Sequence, residues 1–125
     1  MKSTSIVVLL LLLGMAVGCA PRYTEQGLAS WYGPGVAGKR TANGERFVPC
    51  KRTAAHLTLP FGTRLRVTNL DNGRIVRVRV NDRGPYVEGR IIDLSRGAAA
   101  ALRMLKAGVV EVRIEVVRSP PGESP

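Results

Sequence analysis

Three polar islands in this chain hold the residue types that could do chemistry. The most pointed is Asn81-Asp82-Arg83-Gly84-Pro85, which follows the alternating basic and apolar stretch 74–80. That alternation predicts a β-strand with Val76, Val78 and Val80 on one face and Arg77 and Arg79 on the other. The strand delivers the Asp82 carboxylate to the point where Gly84-Pro85 turns the chain. A carboxylate fixed there beside Arg83 suits acid/base catalysis. It equally suits a turn-capping aspartate paired to an arginine, and the pentapeptide alone leaves both readings open.

The second island is Thr41-Ala42-Asn43-Gly44-Glu45 and the third Thr53-Ala54-Ala55-His56. Glu45 is one of nine acidic residues and by itself reads as a solvated turn residue. His56 is the sole histidine. One histidine and two distant carboxylates fall short of a zinc set, so no metal is expected. Cys50 precedes Lys51-Arg52, and basic neighbours favour a thiolate, which makes a Cys50–His56 nucleophile conceivable. It ranks below the carboxylates because nothing in the sequence supplies a group to orient the histidine.

The elements that must carry these islands are short. Residues 28–32 read as a first strand stopped by Gly33-Pro34-Gly35, and residues 56–59 as another. Residues 59–62 fit a β-turn with Pro60 at its second position. Residues 64–70 and 74–80 form a hairpin around Asn72-Gly73, the preferred pair for a type I′ turn. Residues 90–94 are a further strand, and 110–116 a last one with strict alternation. Ser95 reads as the N-cap of a helix reaching about Lys106, with Gly108 placed to end it. About six strands and one helix fit a small, mostly β barrel that closes its own edges.

Residues 1–18 have the charged start, apolar run and small-residue end of a secretory signal peptide. Cys19 behind Ala16-Val17-Gly18 resembles a bacterial lipobox, with Ala16 where leucine is usual. Lipidation of Cys19 is expected, and Ala20 rather than aspartate after it points to an outer membrane lipoprotein facing the periplasm. The alternative is ordinary cleavage with Cys19 unmodified, in which case a disulfide to Cys50 becomes possible. Residues 19–27 read as a lipidated tether, 28–118 as the folded domain and 119–125 as a proline-rich disordered tail. The net charge is +10, and 15 of the 19 basic residues are arginine, which favours an anionic partner. An exported protein seldom meets nucleic acid. Phospholipid head groups and the lactyl and peptide carboxylates of peptidoglycan are the anions at hand.

Read together, several stretches resemble one family. They are residues 27–33 (GLASWYG), 40–45 (RTANGE), 53–56 (TAAH), 59–63 (LPFGT), 67–69 (VTN), 81–85 (NDRGP) and 90–95 (RIIDLS), in the order and at the spacing of the RlpA (rare lipoprotein A) family. The resemblance implies a six-stranded double-psi β-barrel with one short helix, a fold shared with barwin and expansins. It implies an endolytic lytic transglycosylase that cleaves the MurNAc–GlcNAc β-1,4 bond of peptide-poor glycan strands and leaves 1,6-anhydro-MurNAc ends, without a cofactor. Carried over residue by residue, the catalytic set is Asp82, Glu45 and His56. Asn43, Asn81, Arg83, Trp31 and Tyr32 are the candidate sugar contacts, although the two aromatics also suit a core. The expected partners are glycan strands, the membrane through the lipid, and divisome proteins. Many family members carry a SPOR domain where this sequence has its proline-rich tail.

The implied chemistry needs one group that protonates the glycosidic oxygen and then takes the proton of the attacking C6 hydroxyl. Asp82 is the expected group, its acidity weakened by burial or by a nearby Glu45, with Glu45 itself the alternative acid. Two other readings stay open. One is an expansin-like lipoprotein that binds peptidoglycan without cutting it. The other is a hydrolase with two carboxylates about 6.5–9.5 Å apart and a water between them.

Overall fold

A computed structural model of the chain describes residues 23–122. The expected signal peptide, Cys19 with its expected lipid, and the end of the tail lie outside the described residues. Six strands close into a barrel: β1 (Thr24–Trp31), β2 (Thr53–Ala55), β3 (Arg64–Asn69), β4 (Ile75–Asp82), β5 (Arg90–Leu94) and β6 (Val110–Arg118), in the order β1-β5-β2-β4-β3-β6. One short helix, α1 (Arg96–Ala101), connects β5 to β6. Pairs β1/β5 and β2/β4 are parallel and the rest antiparallel.

Strand alternation builds the core. Leu65 and Val67 of β3, Val76, Val78 and Val80 of β4, and Val112, Ile114 and Val116 of β6 all point inward. Ala29, Ala54, Ile92 and Leu94 complete the wall, and Ala98, Ala99, Leu102 and Met104 plug it. Burying a side chain of this size is worth roughly 1.5–3 kcal/mol. The alternating hydrophobic residues therefore fix the register, because a one-residue slip would turn each strand inside out.

Four local expectations are corrected. β1 begins at Thr24, within the stretch read as a tether, because Thr24 to Ala29 pair with Glu115 to Val110 of β6. The second strand is Thr53–Ala55 rather than 56–59, and His56 begins the loop that follows it. The β3–β4 hairpin has a four-residue loop, closed by the Asn69 N–H on the Arg74 carbonyl at 2.8 Å. Gly73 alone takes positive φ there (76°), so the turn is not type I′.

The helix also ends five residues early. Ser95 caps it as expected, its hydroxyl accepting the Ala98 N–H. Its other end is taken over by the hairpin: Asn69 and Asn72 each donate to the Leu102 carbonyl at 3.0 Å, and Arg74 Nε donates to that of Ala101 at 2.9 Å. With those carbonyls spent, Arg103 turns to φ 52° and Met104 drops into the core. Gly97 sets the docking of α1. Its N–H donates to the Pro49 carbonyl at 2.8 Å, and a Cβ there would stand 2.7 Å from the Cys50 carbonyl oxygen.

Candidate active site

β4 would carry Asp82 into the core if its alternation ran on from Val76, Val78 and Val80. A bulge prevents this. Ala54 is opposite Val80, but Ala55 is opposite Asp82, so Asn81 is the extra residue. A bulge re-aims the side chains beyond it, and here it releases Asp82 from the inward column. On the other edge of β2, Ala55 is opposite Asp93 of β5. Asp93 is in turn opposite Ser30 of β1, and the Ser30 hydroxyl donates to Asp93 Oδ1. Two carboxylates therefore flank one small residue, with β1 completing the row.

Asp82 is half-buried and held on both oxygens. Its Oδ1 accepts the backbone N–H of Ala42 and of Arg83, each at 2.9 Å. Its Oδ2 accepts the Tyr32 hydroxyl at 2.6 Å. Burial pushes the Tyr32 phenol well above its usual range, and its bond to Asp82 and the charges of Asp82 and Asp93 push it further. Tyr32 therefore keeps its proton and remains a donor.

Glu45 lies beside this row without joining it. Arg79 grips it with two hydrogen bonds, at 3.2 and 2.9 Å, and Asn81 Nδ2 donates to the same carboxylate. Burial pulls the Glu45 carboxyl upward, but the Arg79 and Asn81 bonds and the Arg79 charge outweigh it and hold it below the ordinary carboxylate range. Among the described residues no hydrogen bond or ion pair links Glu45 to Asp82. An acid paired with a guanidinium charge is a poor proton donor at neutral pH, and among the described residues Asp82 has no such ion pair.

His56 is 3% exposed, and both ring nitrogens are spent inside the protein. Nδ1 accepts the Thr58 and Leu59 N–H groups at 3.1 Å, so the ring proton sits on Nε2 and points to Glu25 Oε1 at 2.9 Å. His56 ties the chain after β2 to β1, and it has no free nitrogen for Cys50. Its own N–H donates to the Asp82 carbonyl at 3.2 Å, which couples that tie to the site. Cys50 is exposed and has no disulfide partner among the described residues.

The expected sugar contacts divide. Asn81 is 1% exposed, and its amide serves Glu45 while its Oδ1 is a buried acceptor with no partner among the described residues. Arg83 donates to the carbonyls of Leu59 at 2.9 Å and His56 at 3.3 Å, and stacks 4.0 Å above Phe61. Both build the site from behind. Asn43 is exposed, its side-chain oxygen tying the 41–45 turn through Thr41 Oγ1 and the Glu45 N–H. Trp31 and Tyr32 are half-buried. They wall an open cavity of about 420 Å³ with Pro34, Phe47, Pro49 and Arg96, and the Tyr32 ring meets Phe47 edge-on at 4.8 Å.

Two residues of this assembly were not singled out in the sequence, Asp93 and Glu25. Asp93 stands in Ile91-Ile92-Asp93-Leu94, where an acid between core positions is the available signal. Glu25 stood in the presumed tether.

The family model described as lytic transglycolase matches residues 24–114, which include every residue of this site. Over 92 residues the chain is 61% identical to a protein named probable endolytic peptidoglycan transglycosylase RlpA from Synechocystis, covering 74% of this chain and 29% of that one. Over 94 residues it is 58% identical to the endolytic peptidoglycan transglycosylase RlpA of Campylobacter jejuni, covering 75% and 34%. The chain spans about a third of the length of these curated relatives. Among solved structures, the Streptomyces papain inhibitor matches with a TM-score of 0.64 at 27% identity, over 78% of this chain and 97% of that one. The Clavibacter michiganensis expansin matches at 0.61 and 30% identity, over 80% and 53%, and a mutant of it has been solved in complex with cellohexaose. With its closed six-strand barrel and a family match running from β1 into β6, the chain belongs to the lytic transglycolase family of double-psi β-barrels.

Proposed function

We propose that this barrel is an endolytic peptidoglycan lytic transglycosylase acting on peptide-poor glycan strands, with Asp82 as the acid and then the base. The observation that carries the reading is the setting of the Asp82 carboxyl. Two backbone N–H groups fix Oδ1, and Tyr32 meets Oδ2. Oδ2 is then the oxygen that exchanges the proton. As Asp82 gives its proton to the glycosidic oxygen, the C1–O bond breaks and negative charge appears on the carboxylate. The three donors meet that charge without reorganising, so they are worth more in the transition state than before it. The C6 hydroxyl of the same MurNAc then attacks C1 and returns its proton to Oδ2. No water is consumed, and the product is a 1,6-anhydro sugar.

Asp93 supplies a second negative charge for the oxocarbenium-like carbon. Glu45, clamped as an anion by Arg79, holds the 41–45 loop so that the Ala42 N–H reaches Asp82. The strong positive charge of the chain suits a polymer rich in carboxylates. The lipid on Cys19, the outer-membrane location and any divisome partner are proposed from the sequence alone.

Asp93 also favours a second reading. It sits across β2 from Asp82, and a hydrolase would need a second carboxylate with a water between the two. Digestion of amidase-treated sacculi with the purified protein, read by mass spectrometry, separates the readings. Anhydro ends that vanish with Asp82→Asn are expected. Reducing ends would establish the hydrolase. Intact glycan retained on the protein would establish the expansin-like binder.

A further inference from the structure

We infer that Arg96 and the aromatic cavity beside Tyr32 form a subsite for the free lactyl carboxylate of an N-acetylmuramyl residue, a deepening that rests on the peptidoglycan reading above. Three observations converge on it. The first is the cavity itself. At about 420 Å³ it falls in the range of small-ligand pockets, and its walls are Trp31, Tyr32, Pro34, Phe47 and Pro49. Aromatic faces and proline edges suit the apolar face of a pyranose and an acetyl methyl group.

The second observation is Arg96, the one charged residue on that wall. Three other arginines are committed within the fold. Arg79 is paired to Glu45, Arg83 to two carbonyls and Arg74 to the end of α1. The Arg96 side chain is exposed and makes no hydrogen bond or ion pair among the described residues. A guanidinium offers a rigid fork that matches a carboxylate with two parallel hydrogen bonds. It also lines a shallower cavity of about 260 Å³ with Cys50, Gly97 and Leu105, but that one has no aromatic wall.

The third observation is the position. Tyr32 belongs to both places: its ring walls the cavity and its hydroxyl donates to Asp82 Oδ2. A sugar in the cavity is therefore one tyrosine side chain away from the reacting bond. In a muramyl residue the lactyl group is the only acidic group of the sugar, and its state reports the history of the strand. With a stem peptide attached, it is a neutral amide that continues into a chain. After an amidase has acted, it is a small free carboxylate. Arg96 pairs only with the second form. A preference for stripped glycan is then chemical recognition at one residue as well as relief from bulk.

The test uses amidase-treated glycan strands and the same strands after their lactyl carboxylates are capped with methylamine. Capping removes the charge and adds almost no bulk. Wild-type protein and the Arg96→Gln and Arg96→Lys variants are compared for strand retention in the Asp82→Asn background and for anhydro-product formation in the active one. A charge-assisted pair on an exposed guanidinium predicts that wild type favours the free carboxylate by about twofold to fivefold. Arg96→Gln brings that ratio close to one, and Arg96→Lys gives an intermediate ratio. Arg96 is solvent-facing and uncommitted, so equal melting temperatures are expected and are checked. A wild-type protein that treats both strands alike, or an Arg96→Gln variant that keeps the preference, overturns the subsite. If wild type releases no anhydro ends yet retains strands with the carboxylate preference, the catalytic reading fails and the subsite stands.

Discussion

Replacing Tyr32 by phenylalanine isolates the hydroxyl that faces Asp82. The phenylalanine ring preserves the edge-on contact with Phe47 and the wall of the cavity. What is lost is one donor of the three on the Asp82 carboxylate, the one on Oδ2. A hydrogen bond to a charged group contributes about 1.5–3 kcal/mol, and removing a preorganised oxyanion donor has cost other enzymes about 2.7–4 kcal/mol. Because the site is half open and water can enter in place of the hydroxyl, the lower part of that range applies, about 1.5–2.5 kcal/mol. At about 1.4 kcal/mol per factor of ten, kcat should fall roughly tenfold to seventyfold. KM should stay within about twofold, since the groups that bind the sugar are retained. The assay is the initial rate of anhydro-end formation across a range of soluble glycan concentrations, with thermal unfolding as the control for structure. A second arm places Tyr32→Phe on Asp82→Asn, where it should cost almost nothing more, because residues that act as a unit do not add. An unchanged kcat, a rise in KM alone, or full additivity with Asp82→Asn would refute the argument that Tyr32 acts on the reacting carboxyl.

Asp93→Asn should preserve the anhydro product and slow its formation by about tenfold or less; a loss as complete as that of Asp82→Asn would move the proton-transfer role to Asp93. Glu45→Gln should destabilise the barrel at neutral pH by about 0.2–1 kcal/mol, the range for part-exposed ion pairs. Because the folded carboxyl is held below its unfolded value, this stability is fully present above the unfolded pKa. It is lost as pH falls through the folded one, so the gap between wild type and variant in urea titrations should close in acid. A gap that widens in acid would reverse the assignment. Gly97→Ala should cost about 1–3 kcal/mol by driving α1 off the Cys50 carbonyl, read from denaturant midpoints; a neutral result would mean that the 49–50 segment yields freely.

The readable part of this fold is the part written in local pattern. Alternation in residues 64–70, 74–80 and 110–116 predicted β3, β4 and β6 because each strand buries one face alone. Ser95 was readable as a cap because its partner, the Ala98 N–H, lies three residues away. The misses have their causes elsewhere in the chain. Nothing near Leu102 announces that Asn69 and Asn72 will take its carbonyl. Thr24 to Gly27 look like a tether because none of them is a large apolar residue, and only the pairing with β6 orders them. The site divides the same way. Asp82 stood out at a strand end, and the family resemblance brought Glu45 and His56 to it. Their division of labour depended on Arg79 and Glu25, partners 34 and 31 residues distant. Asp93 is conspicuous only once β2 is seen to put Ala55 between it and Asp82.

The bulge at Asn81 makes the site a matter of counting. The direction of Asp82 is set by how many residues separate it from Val80 and by where β2 skips, and the identity of its neighbours has little part in it. Substitutions along β4 that keep the apolar column should leave the carboxylate facing outward. Gain of a single residue between Val80 and Asp82, with β2 still skipping once, would return Asp82 to the inward column and drive a charge into the centre of the barrel. A burial of that kind, without a partner, costs several kcal/mol. The Asp82 end of this strand is thus tolerant of spelling and intolerant of length, and natural variation around it should appear as exchanges and almost never as gaps.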